Sequence, residues 1–172
     1  SPYGYVSLGS TIICNAQSYL ACGGMSKKKA TEDFYFLQAL AKYSHIFIIN
    51  DILVFPSSRD TQRVYLGTGF RMKEYGVTKK FNNLTFTKKS FKSLEKIISI
   101  VKVNWNNDFN IFKKNASMEL KSEVFDFLIS QDIKKIWKNF QENSQSRKQF
   151  MLFFHQWFDA LMIIKLLKKL NN

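Results

Sequence analysis

Proline and glycine are scarce in this chain, and their positions divide it. Of 172 residues, two are Pro and seven are Gly, and none of them follows Gly76. These residue types interrupt regular structure, so their absence from 77–172 predicts an α-helical region. The turns of 1–76 are typical of an α/β region. We therefore predict two domains, 1–76 and 77–172.

Cysteine is also rare. Cys14 and Cys22 are eight residues apart, with no Cys-x-x-Cys spacing. A structural zinc site needs four well-spaced ligands, and a disulfide scaffold needs more cysteines than two. We expect buried free thiols in a reducing compartment and no metal held by this chain. No basic stretch followed by an apolar run marks a signal peptide at the N-terminus. The expected location is cytoplasmic.

Acidic residues are half as frequent as basic ones. The chain has 13 Asp and Glu and 26 Lys and Arg, which gives a net charge of +13. Most of the excess of positive charge lies from Gly76 onward, where there are eighteen basic residues and eight acidic ones. Such a balance indicates an anionic neighbour, which is a membrane surface, a nucleic acid or a phosphate-bearing substrate. A general enrichment in Lys and Asn is the alternative explanation.

Hydrophobic periodicity predicts the elements. The predicted strands are Val6–Cys14, His45–Ile49 and Ile52–Phe55. The predicted helices are Ala16–Cys22, a helix capped by Thr31 and reaching Tyr43, Ser90–Val103, Met118–Phe140 and Ser146–Leu170. The expected fold class is thus α/β, followed by a helical tail.

A long uncharged hydrophobic run is missing. Between Phe150 and Leu170, fifteen of 21 residues are apolar, but Asp159 and a C-terminal Lys cluster interrupt the run. A membrane-spanning helix needs about 20 predominantly apolar residues. The segment is therefore expected either to pack on the body of the protein or to lie at a membrane interface.

Four stretches together resemble the C-terminal half of the family 2 glycosyltransferases, which have the Rossmann-like GT-A fold. They cover residues 6–75 continuously and the last twenty residues more loosely. The stretches are Gly9-Ser10-Thr11 with Gly23-Gly24, the helix start Thr31-Glu32-Asp33-Phe34, the run Val54–Arg71 with Ser57, Arg59, Arg63, Gly67, Gly69 and Phe70, and Trp157-Phe158-Asp159-Ala160 with Lys165-Leu166-Leu167.

The resemblance implies a catalytic role for two carboxylates. Asp33 corresponds to the base that takes the proton of an acceptor hydroxyl as it attacks the anomeric carbon, with inversion. Glu32 orients that first turn or contacts the acceptor. Without the resemblance, the same pair is a favourable helix start, because anions near a helix N-terminus are stabilised by its dipole.

The resemblance also implies a binding site for the acceptor or for phosphate. Arginine suits bidentate phosphate contacts. The residues assigned to this site are Arg59, Arg63, Arg71, Gly23 and Gly24.

The donor half of such an enzyme is absent from the sequence. The chain contains no Asp-x-Asp motif, which in this family holds Mg²⁺ or Mn²⁺ on the donor diphosphate. Either the N-terminal half is missing or the chain is a degenerate relative, and we expect a fragment that is inactive alone. The intact parent would use a nucleotide-sugar donor, Mg²⁺ or Mn²⁺, and a hydroxyl acceptor. On the inner face of the membrane, a lipid-linked acceptor could be presented to it.

A different class of function fits the charge. The alternative is a non-enzymatic basic helical module that binds nucleic acid or an anionic membrane surface. Aromatic residues such as Trp105 and Trp137 lie among the lysines of the tail. Nucleic acid is the less favoured partner, because the lysines are spread over several helices and no nucleic-acid motif is present.

Overall fold

The regular elements of the described residues are helices. The computed structural model describes Tyr5, 12–28, 31–55, Lys73, 75–77 and 86–171. Within these residues eight helices have defined bounds. They are α1 (Ala16–Ala21), α2 (Glu32–Tyr43), α3 (Lys88–Asn104), α4 (Phe109–Glu119), α5 (Ser122–Ser130), α6 (Ile133–Asn143), α7 (Arg147–Trp157) and α8 (Ala160–Asn171).

Two units make up the chain, Ser1–Leu84 and Thr85–Asn172. The two domains that the sequence predicts, 1–76 and 77–172, stay a prediction, because residues 78–85 lie outside the described part. We call the two units unit 1 and unit 2, and each is described by itself.

In unit 1, α1 packs against α2. The side chain of Asn15 accepts a hydrogen bond from the Ser18 backbone at 2.7 Å and so caps α1. Helix α2 buries Phe36, Leu37 and Leu40, which form a small core. The helices expected at Ala16–Cys22 and after Thr31 are confirmed.

The α/β prediction is wrong for the described residues, which contain no strand and no sheet. Residues 45–49 and 52–55 have no regular secondary structure, and neither do 12–14; residues 6–11 lie outside the description. A strand needs a neighbour for its backbone hydrogen bonds, and β-branched composition alone does not supply one. The assignment to the family 2 glycosyltransferases is wrong as well, because the GT-A fold is built on a sheet.

Unit 2 is a six-helix assembly around an aromatic core. Helix α3 contacts α4, α7 and α8, while α5 contacts α4, α6 and α8. The core side chains are those of Leu94, Ile97, Ile100, Val101, Phe112, Ala116, Leu120, Val124, Phe127, Leu128, Ile133, Trp137, Phe140, Phe150, Phe154, Phe158, Leu166 and Leu167.

Trp137 lies at the centre of this core and is completely buried. Its ring stacks on Phe112 with 4.0 Å between centroids and meets Phe150 edge-on at 5.0 Å. Its indole Nε1–H donates to the carbonyl oxygen of Asn107 at 3.0 Å. The tryptophan thereby joins α4, α6 and α7 to the turn that follows α3.

A buried amide network fixes that turn. Asn104 is 2% exposed, and its Nδ2 donates to the carbonyl of Ile100 at 2.9 Å. Its Oδ1 accepts from the side-chain amides of Asn107 at 2.9 Å and Asn115 at 2.7 Å. Since buried polar groups are costly unless paired, this network stabilises one geometry for the connection between α3 and α4.

The long helices that the sequence predicts are interrupted. The expected Met118–Phe140 helix is wrong, because α4 ends at Glu119 and α5 and α6 meet at Asp132, whose φ is +59°. The expected Ser146–Leu170 helix is divided into α7 and α8. At that break Asp159 Oδ1 accepts the backbone N–H of Leu161 at 3.1 Å and of Met162 at 3.2 Å, so it caps α8.

No single helix in the described part of the chain has the length and apolarity to cross a membrane. Helices α7 and α8 meet those criteria by length and composition only when they are taken as one pair, bent by 66°. The pair contributes five large core side chains, which are Phe150, Phe154, Phe158, Leu166 and Leu167. Packing against the other helices of unit 2 accounts for this apolarity.

We predict that Asn104→Ala destabilises unit 2 by about 2–4 kcal/mol, because it leaves the amide donors of Asn107 and Asn115 without their acceptor. The measurement is urea unfolding followed by far-UV circular dichroism. Asn106→Ala is the matched control, since Asn106 is exposed, and a change within about 0.5 kcal/mol is expected. Equal losses in the two variants would contradict the role of the network.

Candidate functional site

The predicted catalytic carboxylates lie together in the first turn of α2. Asp33 Oδ1 accepts the backbone N–H of Phe34 at 2.8 Å. Thr31 precedes them with a φ of 66° and makes no side-chain cap, so the two acidic residues provide the negative charge at this helix start. The geometry therefore matches helix capping, and the catalytic role of Asp33 and Glu32 stays a prediction.

Gly23 and Gly24 end α1 in the left-handed region, with φ of +75° and +71°. The Gly24 N–H donates to the carbonyl of Tyr19 at 2.8 Å. A Cβ on Gly24 would lie 2.9 Å from the Tyr19 ring. Backbone conformation thus explains both glycines, while a phosphate-binding role for them stays a prediction.

The remaining predicted site residues lie outside the described residues. These are Arg59, Arg63 and Arg71, together with the motif Gly9-Ser10-Thr11. In the described ranges, no three His, Cys, Asp or Glu side chains are grouped so that they could hold a metal ion.

The two cysteines flank α1 as free thiols. Cys14 is exposed, so the expectation that both are buried is wrong for this residue. Burial raises the pKa of the Cys22 thiol, and the neighbouring Cys14 adds to this shift.

A hollow of about 450 Å³ lies between α6 and α7. It is lined by amides and aromatic rings, which belong to Asn139, Phe140, Asn143, Phe153, Gln156 and Trp157. None of these side chains titrates, so the hollow offers no general acid or base.

The ends of α3 and α8 meet in unit 2. Ser90 is 3% exposed, and its Oγ donates to Asn171 Oδ1 at 3.0 Å. The Oγ1 of Thr87, the residue that caps α3, lies 2.8 Å from Ser90 Oγ. The first turn of α3 therefore lies beside the last turn of α8.

Six exposed lysines lie on the turns of α3 and α8 that lead to this meeting point. We call them the basic end: Lys88, Lys89, Lys92, Lys165, Lys168 and Lys169. Spacings of three and four residues place the lysines of each helix on its outward face. In the described part of the chain none of the six has an ion-pair partner, whereas Lys138 pairs with Glu142 at 3.6 Å.

Helix dipoles act differently on the two halves of the basic end. Lys168 and Lys169 lie in the last turn of α8, where the dipole favours cations. Lys88 and Lys89 lie in the first turn of α3, which contains no acidic residue, and there the dipole disfavours them. The positive end of the α3 dipole lies beside these two lysines. An anion placed there would be stabilised both by the dipole and by the lysines.

An exposed aromatic ring accompanies the lysines. Phe91 is 51% exposed and contacts Phe86 edge-on at 6.5 Å between centroids. Sequence reasoning found the basic tail but missed the basic end, because 88–92 and 165–169 are far apart along the chain. The signal in the sequence was the lysine spacing on each helix.

His155 is half-buried on α7 next to Phe154. Burial lowers the pKa of its imidazole below 6.5. The unfolded chain then binds a proton more readily than the folded one, so stability falls as the pH falls through 6.5 towards the folded pKa.

We predict that His155→Gln makes urea-unfolding stability less dependent on pH between neutral and mildly acidic buffer. The same slope in both proteins would contradict this.

Comparisons with protein-family models, curated proteins and solved structures find no match to this chain.

Proposed function

We propose that unit 2 is a non-enzymatic helical module that docks on an anionic membrane surface through the basic end. The observation that carries the proposal is the hydrogen bond from Ser90 to Asn171, at 3.0 Å. It brings lysines from two distant parts of the sequence to one end of the unit. Clustered lysines are attracted to anionic headgroups by about 1 kcal/mol each.

The composition favours a membrane over a nucleic acid. In 85–172, fifteen of the sixteen basic residues are Lys, and Arg147 is the exception. The flexible, strongly hydrated ammonium of Lys suits diffuse attraction to a headgroup layer. Recognition of nucleic acids more often uses the planar, bidentate guanidinium of Arg.

Phe91 fits the same partner. A half-exposed ring among lysines is typical of interfacial surfaces, where the ring enters the headgroup region and the lysine stems extend along it. Because the cytoplasmic leaflet carries the anionic lipids, we place the docked protein on the cytoplasmic face as a peripheral protein.

Neutralising the basic end is expected to weaken membrane binding strongly. A variant with all six lysines changed to Gln is expected to bind anionic vesicles at least about a hundredfold more weakly, since each Lys contributes about 1 kcal/mol. Co-sedimentation with vesicles of phosphatidylcholine and phosphatidylglycerol measures this.

The control has the same net charge but an intact basic end. It changes six other exposed lysines to Gln, which are Lys102, Lys113, Lys114, Lys121, Lys134 and Lys135. Most of the affinity should remain in the control. Equal losses would show that net charge alone attracts the protein, and absence of vesicle binding by the unchanged chain at low salt would refute the proposal. Binding to single-stranded RNA that displaces vesicles, with a steep salt dependence, would favour the nucleic-acid alternative.

A further inference from the structure

Residues 47–55 of unit 1 form the most exposed apolar segment in the described part of the chain. We call them the apolar segment. Phe47 and Phe55 are each 86% exposed, and Ile52 is 75% exposed. Ile48, Ile49, Leu53 and Val54 are also exposed, each by half or more. Contiguous apolar surface of this kind marks a site that a partner or a membrane covers.

The backbone of the apolar segment limits what can cover it. The segment has no regular secondary structure, and the described residues provide no hydrogen bond to its amides. Unpaired amides cannot enter the hydrocarbon core of a bilayer, where water is absent. They can stay hydrated in the headgroup region, while the side chains reach the acyl boundary.

One end of the apolar segment is fixed to unit 1. The preceding residue, Ile46, is half-buried and packs against the core of Phe36, Leu37 and Leu40 on α2. The side chains that follow it face solvent. The segment is therefore held to a folded element while its apolar groups are left available.

The charge of the chain favours a membrane over a second copy of the chain as the partner that covers the apolar segment. Each chain has a net charge of +13, so two copies repel each other, whereas an anionic surface attracts each one. Within the segment Asp51 is the one charged residue, so little charge has to be desolvated there. Electrostatics thus attracts the chain as a whole to an anionic bilayer and opposes the association of two chains.

We infer that the apolar segment inserts into the headgroup and acyl boundary of an anionic membrane. This inference rests on the proposed function of the basic end, and it adds a second element that contributes apolar contact. Phe47, Ile52 and Phe55 are the side chains expected to insert.

A fluorescent probe tests the insertion. In a chain with Cys14→Ser and Cys22→Ser, an environment-sensitive dye is attached to Ile52→Cys. The matched control carries the dye on Met118→Cys, because Met118 is 72% exposed and Ile52 is 75% exposed. With vesicles containing phosphatidylglycerol, the emission of the Ile52→Cys probe should shift to the blue, and that of the control should not.

Three other outcomes of the vesicle experiment would contradict the insertion. Co-sedimentation with anionic vesicles without a blue shift at Ile52→Cys would overturn the inference and leave the proposed function in place. Failure of the protein to co-sediment would overturn both. A blue shift without vesicles that grows with protein concentration would show that a second copy covers the segment, which also overturns the inference.

A second pair of variants checks the energetics without a dye. Phe47→Ser with Phe55→Ser should lower vesicle affinity about tenfold or more, because two large apolar groups no longer insert. Val103→Ser with Met118→Ser, at positions 76% and 72% exposed, should leave affinity unchanged. Far-UV circular dichroism shows whether each variant keeps its helices. Unchanged affinity in the Phe47/Phe55 variant would overturn the inference.

Discussion

The packing of Trp137 is the interaction on which unit 2 depends. Its indole is stacked on Phe112, meets Phe150 edge-on and donates a hydrogen bond to the carbonyl of Asn107. One side chain thus determines how α4, α6 and α7 approach the turn after α3. Because α3 is positioned by that turn, its first turn is placed against the end of α8. The geometry of the basic end therefore depends on the same core, to which α3 and α8 contribute Leu94, Leu166 and Leu167.

Sequence patterns predicted the helices whose ends have local signals. Asn15 caps α1, two glycines end it, and the apolar face of α3 has helical spacing. The breaks in the later helices had no Gly or Pro to mark them. Asp132 takes a left-handed conformation and Asp159 caps a new helix, and an Asp within a helical pattern does not by itself indicate a break. The helix type was predictable there, but the boundaries depended on tertiary packing.

The strand predictions failed for a different reason. Residues 45–49 and 52–55 have the β-branched and aromatic composition of strands, but a strand also requires a neighbour, which composition does not encode. The family resemblance failed in a similar way. It combined short motifs whose residues are also explained by the helix starts and turns in which they lie. Glu32 and Asp33 suit a helix start, and Gly23 and Gly24 suit a left-handed turn. For the basic end, the sign of the charge was predictable from the sequence but its location was not, because the location depends on the contact between α3 and α8.

Each of the two proposed membrane elements, the basic end and the apolar segment, would bind a membrane only weakly by itself. A basic patch attracts a protein to an anionic surface, but salt screens the attraction. A short apolar segment gains free energy only once it is at the interface, and by itself it does not select an anionic membrane. Stable, reversible anchoring generally takes two such signals together. A chain with lysines clustered in unit 2 and apolar side chains exposed in unit 1 has both, so its binding should respond to lipid charge as well as to apolar contact.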